Sequence, residues 1–196
     1  MSDTDVIRPA FHHLNLKTTR LPQMIDWYST VVGAEVHFKD AFGAWLSNDA
    51  ANHRIALLAF PGFVDDSEKG TRTGIHHSAF EFGSFEDLNA TYLRLREVGI
   101  EPDFCLDHGM TFSYYYQDPD GNHLELQVDI FGDWAQSTEY MRSSPDFHAN
   151  PIGVFMLPAR VADAAAGGAS FAEIHRRAQA REFEPAEPPF EVPGQG

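Results

Sequence analysis

Hydrophobic and polar residues alternate with a period of two in FHHLNLKT. His13, Asn15 and Lys17 fall on one face and His12, Leu14 and Leu16 on the other, the mark of a strand. In LPQMIDWYSTVVG the period lengthens: Met24, Trp27, Tyr28 and Val31 recur at helical spacing, with Pro22 near the start and Gly33 as the stop. AEVHF, GAWLS and HRIALLAF follow as three short strands separated by turn residues. The same order then recurs. GIHHSAFEF is a strand that opens on a second double histidine. SFEDLNATYLRLREVG is a helix with Ser84 as its N-cap, Phe85, Leu88, Tyr92 and Leu95 as its apolar stripe, and Gly99 as its stop. EPDFCL, TFSYYYQ and HLELQVD complete it, the last two joined by the turn DPDGN.

Each unit therefore reads strand, helix, strand, strand, strand, and His77 lies 77 − 13 = 64 residues after His13. A module of that size needs its twin to cover its sheet. The expected fold is α+β: paired βαβββ modules, at about 11–60 and 75–130, forming a curved mixed sheet around a metal site within a domain spanning 1–130. Beyond residue 131 the pattern weakens, and seven of the twelve prolines lie after residue 144. This C-terminal extension, 131–196, is expected to be helical and extended, with one helix after Ser170 carrying Phe171 and Ile174 on its apolar side. The final EPAEPPFEVPGQG is expected to be extended or disordered.

Composition narrows the function. Fourteen basic against twenty-nine acidic residues give a net charge of −15, which disfavours nucleic acid and anionic membranes as partners. The single cysteine, Cys105, cannot form an internal disulfide and reads as a small buried hydrophobe; together with the lack of a long apolar run or leader pattern, it suggests a cytoplasmic protein. Ten histidines and sixteen phenylalanines suit a protein that handles metals or aromatic compounds, although any one histidine serves equally well at a surface or a cap.

His13 and His77 hold equivalent places in the two modules, and Glu125 lies in the final strand with His123 and Gln127 on its face. Two imidazoles and one carboxylate with open coordination positions suit a non-haem Fe(II) centre that activates oxygen, and Mn(II) fits the same donors.

HHLNLK, the helix ending WYSTVVG, HHSAFE and YYYQDPDGNHLELQ together resemble the vicinal oxygen chelate superfamily, over roughly residues 11–130. More narrowly, the chain is similar to the one-domain extradiol dioxygenases that cleave catechols, and NPIGVF in the extension fits them too. The resemblance implies His13, His77 and Glu125 as metal ligands, selecting His13 and His77 over His12 and His76. It implies His53, in NHRIALL, as the acid–base residue, whose ordinary pKa of about 6.5 allows both protonation states near neutrality. It implies Tyr115, ten residues before Glu125, as a donor to a substrate oxygen, and His108, in DHG, as a further substrate contact. Tyr114 and Tyr116 point the other way in a regular strand, as packing residues. The plain alternatives are a loop histidine at His53 and a simple turn at DHG.

The implied reaction inserts both atoms of O2 into a catechol-type aromatic such as catechol or biphenyl-2,3-diol. The implied partners are that diol and O2, and the implied assembly is a homo-oligomer, a dimer. A glyoxalase-like lyase or isomerase is the competing enzyme class, but it calls for a fourth carboxylate ligand and no glutamate stands between Ala41 and Phe60. A metal-free small-molecule-binding resistance protein is the third reading, and three ligand types at duplicated positions speak against it.

Overall fold

The structure, a computed structural model, describes residues 6–191. The chain divides after Arg72 into two compact units. The first contains β1 (Leu14–Lys17), α1 (Leu21–Val32), β2 (Glu35–Lys39), β3 (Gly43–Ser47) and β4 (Ile55–Leu58). The second contains β5 (His77–Phe82), α2 (Phe85–Glu97), β6 (Phe104–Asp107), β7 (Thr111–Gln117) and β8 (His123–Asp129). It continues through α3 (Trp134–Ser143), α4 (Pro145–Ala149), β9 (Val154–Phe155), α5 (Pro158–Ala166) and α6 (Phe171–Gln179).

Both βαβββ modules are present, and the curved mixed sheet expected from the repeat is built as two hydrogen-bonded sheets, one per module. Their strand orders are β1-β4-β3-β2 and β5-β8-β7-β6-β9. In each, the first strand runs parallel to the last strand of its own module and the remaining pairs are antiparallel. The crossover helix covers one face: Met24, Tyr28 and Val31 of α1, and Phe85, Leu88, Tyr92 and Leu95 of α2, are buried. Ser84 caps α2 by accepting from the Asp87 amide, which satisfies one of the donors a helix start leaves unpaired. Trp27, expected in the α1 stripe, is only half-buried.

The extension is more structured than its sequence suggested. Only α6 was expected, and it begins where the pattern put it, with the Ser170 hydroxyl accepting from the Glu173 amide. Three further helices and β9 accompany it. Their start signals are in the sequence: Asp133 accepts from the Ala135 amide at the start of α3, and prolines open α4 and α5. Phe171 stacks on Phe85 at 4.8 Å and meets Phe112 edge-on, while Ile174 is fully buried. With β9 extending the second sheet beside β6, the described part of the extension packs as a layer on the second module. Residues 192–196 of the expected extended end lie outside the described residues.

Candidate active site

Alternation along β8 sends Leu124 and Leu126 into the core and leaves Glu125 on the opposite face, where its side chain is only 6% exposed. Strand pairing places the other groups around it. Tyr115 sits directly across from Glu125 in the β7–β8 ladder, and Ala79 of β5 faces it from the other side. The Tyr115 hydroxyl donates to Glu125 Oε1 at 2.8 Å. His77 Nε2 lies 3.0 Å from Glu125 Oε2. His108, on the turn after β6, brings its Nε2 to 2.8 Å from the Tyr115 hydroxyl and 3.9 Å from Glu125 Oε1. Four residues singled out from the sequence thus meet at one carboxylate.

Burial would push the Glu125 carboxyl up, but hydrogen bonds from His77, Ser113 and Tyr115 and the nearby His108 outweigh it and hold the group below its ordinary range. Burial and the neighbouring carboxylate push the Tyr115 phenol far up, so it stays a neutral donor. Desolvation lowers the His108 pKa, against the opposing pull of Glu125 and a hydrogen bond to the Ile152 backbone, so the ring is neutral near pH 7. Ser113 was missed from the sequence because its support for Glu125 depends on the β7–β8 register and on no motif.

A cavity of about 540 Å³ opens on this cluster. His77, His108, Tyr115 and Glu125 line one part of it, and Met110, Trp134 and Met141 another. Trp134 and Met141 come from α3, which the sequence reading did not find. Trp134 Nε1 donates to Glu81 at 2.9 Å, fixing the indole at the rim.

Tyr114 and Tyr116 are fully buried, as strand alternation required. Cys105 is buried, and desolvation drives its thiol pKa well up, so it is an unreactive packing residue.

In the first module, His12, His13 and His53 gather. One ring nitrogen from each lies within 4.8 Å of the others. His12 Nδ1 approaches His13 Nδ1 at 3.1 Å, and the His13 and His53 rings are 4.3 Å apart. Desolvation, then the charges of His13 and His12, lower the His53 pKa. The second double histidine repeats the arrangement, with His76 Nδ1 2.9 Å from His77 Nδ1. In both pairs the rings stand edge-on, at 85° and 86°. With Nδ1 engaged in this way the other ring nitrogen is left available, and in His77 that atom, Nε2, faces Glu125.

The donor set fits a divalent first-row metal. Imidazole and carboxylate are its usual ligands, and 3.0 Å between His77 Nε2 and Glu125 Oε2 is the spacing of neighbouring donors about 2.1 Å from one octahedral ion.

Comparison with known proteins agrees with the fold. Residues 10–126 match the family model of the glyoxalase/bleomycin resistance protein/dioxygenase superfamily. Biphenyl-2,3-diol 1,2-dioxygenase 2 of Rhodococcus globerulus is 38% identical over 90% of this chain and 92% of its own length. Biphenyl-2,3-diol 1,2-dioxygenase 3 of the same organism is 38% identical over 91% and 93%. A crystal structure of a glyoxylase/bleomycin resistance protein/dioxygenase domain from Frankia sp. EAN1pec, 20% identical, superposes with a TM-score of 0.52 over 63% of this chain and 93% of that one. By sequence and by architecture, this chain belongs to the glyoxalase/bleomycin resistance protein/dioxygenase superfamily.

Proposed function

We propose that the chain is an extradiol dioxygenase that opens catechol-type aromatics with O2 at an Fe(II) centre held by His13, His77 and Glu125. The observation that carries this reading is the Glu125 carboxylate, shared between the His77 imidazole and the Tyr115 phenol beside an open cavity. The matching geometry of the two double histidines supports His13 as the counterpart of His77. Identity of 38% across nine-tenths of each chain to two diol dioxygenases supports the reaction class.

Iron held by these residues would supply the electron chemistry; Mn(II) would occupy the same donors. Tyr115, a neutral phenol whose one proton rests on Glu125 Oε1 in the free site, turns it to a diol oxygen when the diol binds, and His108 Nε2, 2.8 Å from that hydroxyl, holds the phenol in line. A diol proton leaves to a nearby base. His53, whose depressed pKa keeps it neutral at pH 7, takes up and returns a proton during ring opening. Met110, Trp134 and Met141 give the ring substituent an apolar wall, and about 540 Å³ accommodates two aromatic rings. A lyase-type site is disfavoured because β4 reads Ile-Ala-Leu-Leu, and Asp49, the one acid between Ala41 and Phe60, is engaged by Arg54 at 2.8 Å.

We place the enzyme in the cytoplasm; no described helix is long and apolar enough to cross a membrane. Exposed Phe38, Phe42 and Phe60 suit a homodimer, checked by light scattering.

The test is oxygen uptake by anaerobically iron-loaded protein with catechols from the unsubstituted ring to biphenyl-2,3-diol, recording the visible spectrum. Oxygen consumption with growth of a yellow ring-opened product is expected. Iron-loaded protein that consumes no oxygen with any of them would sink the reading.

A further inference from the structure

Asp107 ends β6, is fully buried, and has no part in the chemistry described above. A carboxylate in that position needs donors, and most of them come from the C-terminal extension. Asp107 Oδ2 accepts from His175 Nδ1 of α6 at 2.7 Å. Oδ1 accepts from Gln179 Nε2 of the same helix at 2.7 Å and from the Gly109 amide at 2.9 Å. The next residue along the chain is His108.

The rest of the turn is held as closely. A side chain at Gly153, beside β9, would run into the Asp107 carbonyl oxygen at 2.1 Å and the His108 Cα at 2.7 Å. Gly109, at φ 85°, presses against the Tyr140 hydroxyl of α3, which a Cβ would meet at 2.6 Å. Three separate pieces of the extension therefore converge on residues 107–109, and the residue they enclose is the one that orients Tyr115.

We propose that the extension is a working part of the site: His175 and Gln179 clamp Asp107, and the clamp sets the position of His108 and, through it, of the Tyr115 hydroxyl. His175 is thus a positioning residue 68 positions along the chain from Asp107. This rests on the dioxygenase reading for its kinetic consequence alone. A misplacement of the order of 1 Å at a catalytic donor costs up to about 100-fold in rate, whereas a plain stability role for the hydrogen bond would leave the folded enzyme's turnover intact.

A double-mutant cycle separates the two. His175→Ala should lower kcat about tenfold or more, with KM and iron content unchanged. In a His108→Ala background the same substitution should cost nothing further. His175→Asn, whose amide nitrogen can take the place of imidazole Nδ1, should restore most of the rate. Losses that multiply independently of His108 would overturn the proposal, as would full turnover in a folded His175→Ala protein. Gln179→Ala removes one donor and leaves the His175–Asp107 pair; it serves if the first variant does not fold, and an unchanged kcat there would also count against the clamp.

A second readout needs no activity. In metal-free protein, His175→Ala should speed hydrogen exchange of the Gly109 amide and shift the ring nitrogen resonances of His108. No change in either would overturn the clamp. A chain inactive toward every catechol would defeat the dioxygenase reading and leave these two measurements to decide the clamp by themselves.

Discussion

The two modules carry the same opening dipeptide with the same edge-on ring arrangement, and their surroundings differ. In the first, exposed His12 and His13 face another imidazole, His53, and the trio contains no carboxylate. In the second, His77 faces a buried carboxylate that is also bonded to a phenol. One strand–helix plan thus surrounds the same dipeptide in two ways, with a further imidazole in the first module and with a buried carboxylate in the second. Duplication supplies position; the residues on the last strand of each module, Ile-Ala-Leu-Leu in β4 and His-Leu-Glu in β8, supply the difference.

The sharpest way to break this comparison is to ask which histidines hold metal. His13→Ala, His77→Ala and Glu125→Ala should each weaken iron binding by more than about 100-fold, since loss of an outer partner alone already costs 10- to 100-fold. His12→Ala should keep most of the iron, measured as metal content after dialysis. If His12→Ala lost iron as fully as His13→Ala while Glu125→Ala kept it, the first-module trio would itself be the metal site.

Next in size come the groups assigned to proton chemistry. His53→Ala should retain iron and lose about 100-fold or more in turnover. Tyr115→Phe should lose a comparable amount, as expected for a donor aimed at developing charge. Normal turnover by the His53 variant would cancel its acid–base role.

Smaller effects test the packing face. Tyr116, beside Tyr115, is buried with a hydroxyl that has no hydrogen-bond partner. Tyr116→Phe should change the urea unfolding free energy by less than about 1 kcal/mol, because no bond is lost.

The smallest concerns acid stability in the first module. Hydrogen bonds from Arg54, the Ala51 amide and Ser47 lower the Asp49 pKa from 3.8 to about 2. A depressed carboxyl stabilises the fold above 3.8, and the contribution is lost as pH falls through about 2. Wild type should therefore exceed Asp49→Asn slightly in urea midpoint at pH 5, with the gap closing toward pH 2. Solvent exposure keeps it small. A gap unchanged at pH 2 would mean that the residue acts through its turn geometry instead.

What the sequence made legible follows from what repeats or alternates. The 64-residue offset exposed both modules, Ser84 and Ser170 marked two helix starts, and period-two alternation separated Glu125 and Tyr115 from Leu124, Tyr114 and Tyr116. The Asp107–His175 pair has no such signature, since its partners are 68 positions apart and meet only when α6 packs. The missed helices have a different cause. α3 buries only Ser137, so it shows no apolar stripe, and α5 is rich in alanine; in both, end signals outweigh periodicity. Asp133 followed by Gln136, and the prolines at 145 and 158, were the available clues.

Parallel pairing of β5 with β8 also bears on how the protein is made. His77 and Glu125 stand 125 − 77 = 48 residues apart and become neighbours only when the first and last strands of the module join. Contacts of such long range form late and slow folding. A ribosome-bound chain that has just exposed HHSAFE therefore has no partnered carboxylate to offer an ion. On the proposed ligand set, metal capture would be deferred to the moment the second module closes, and iron loading would report completed folding.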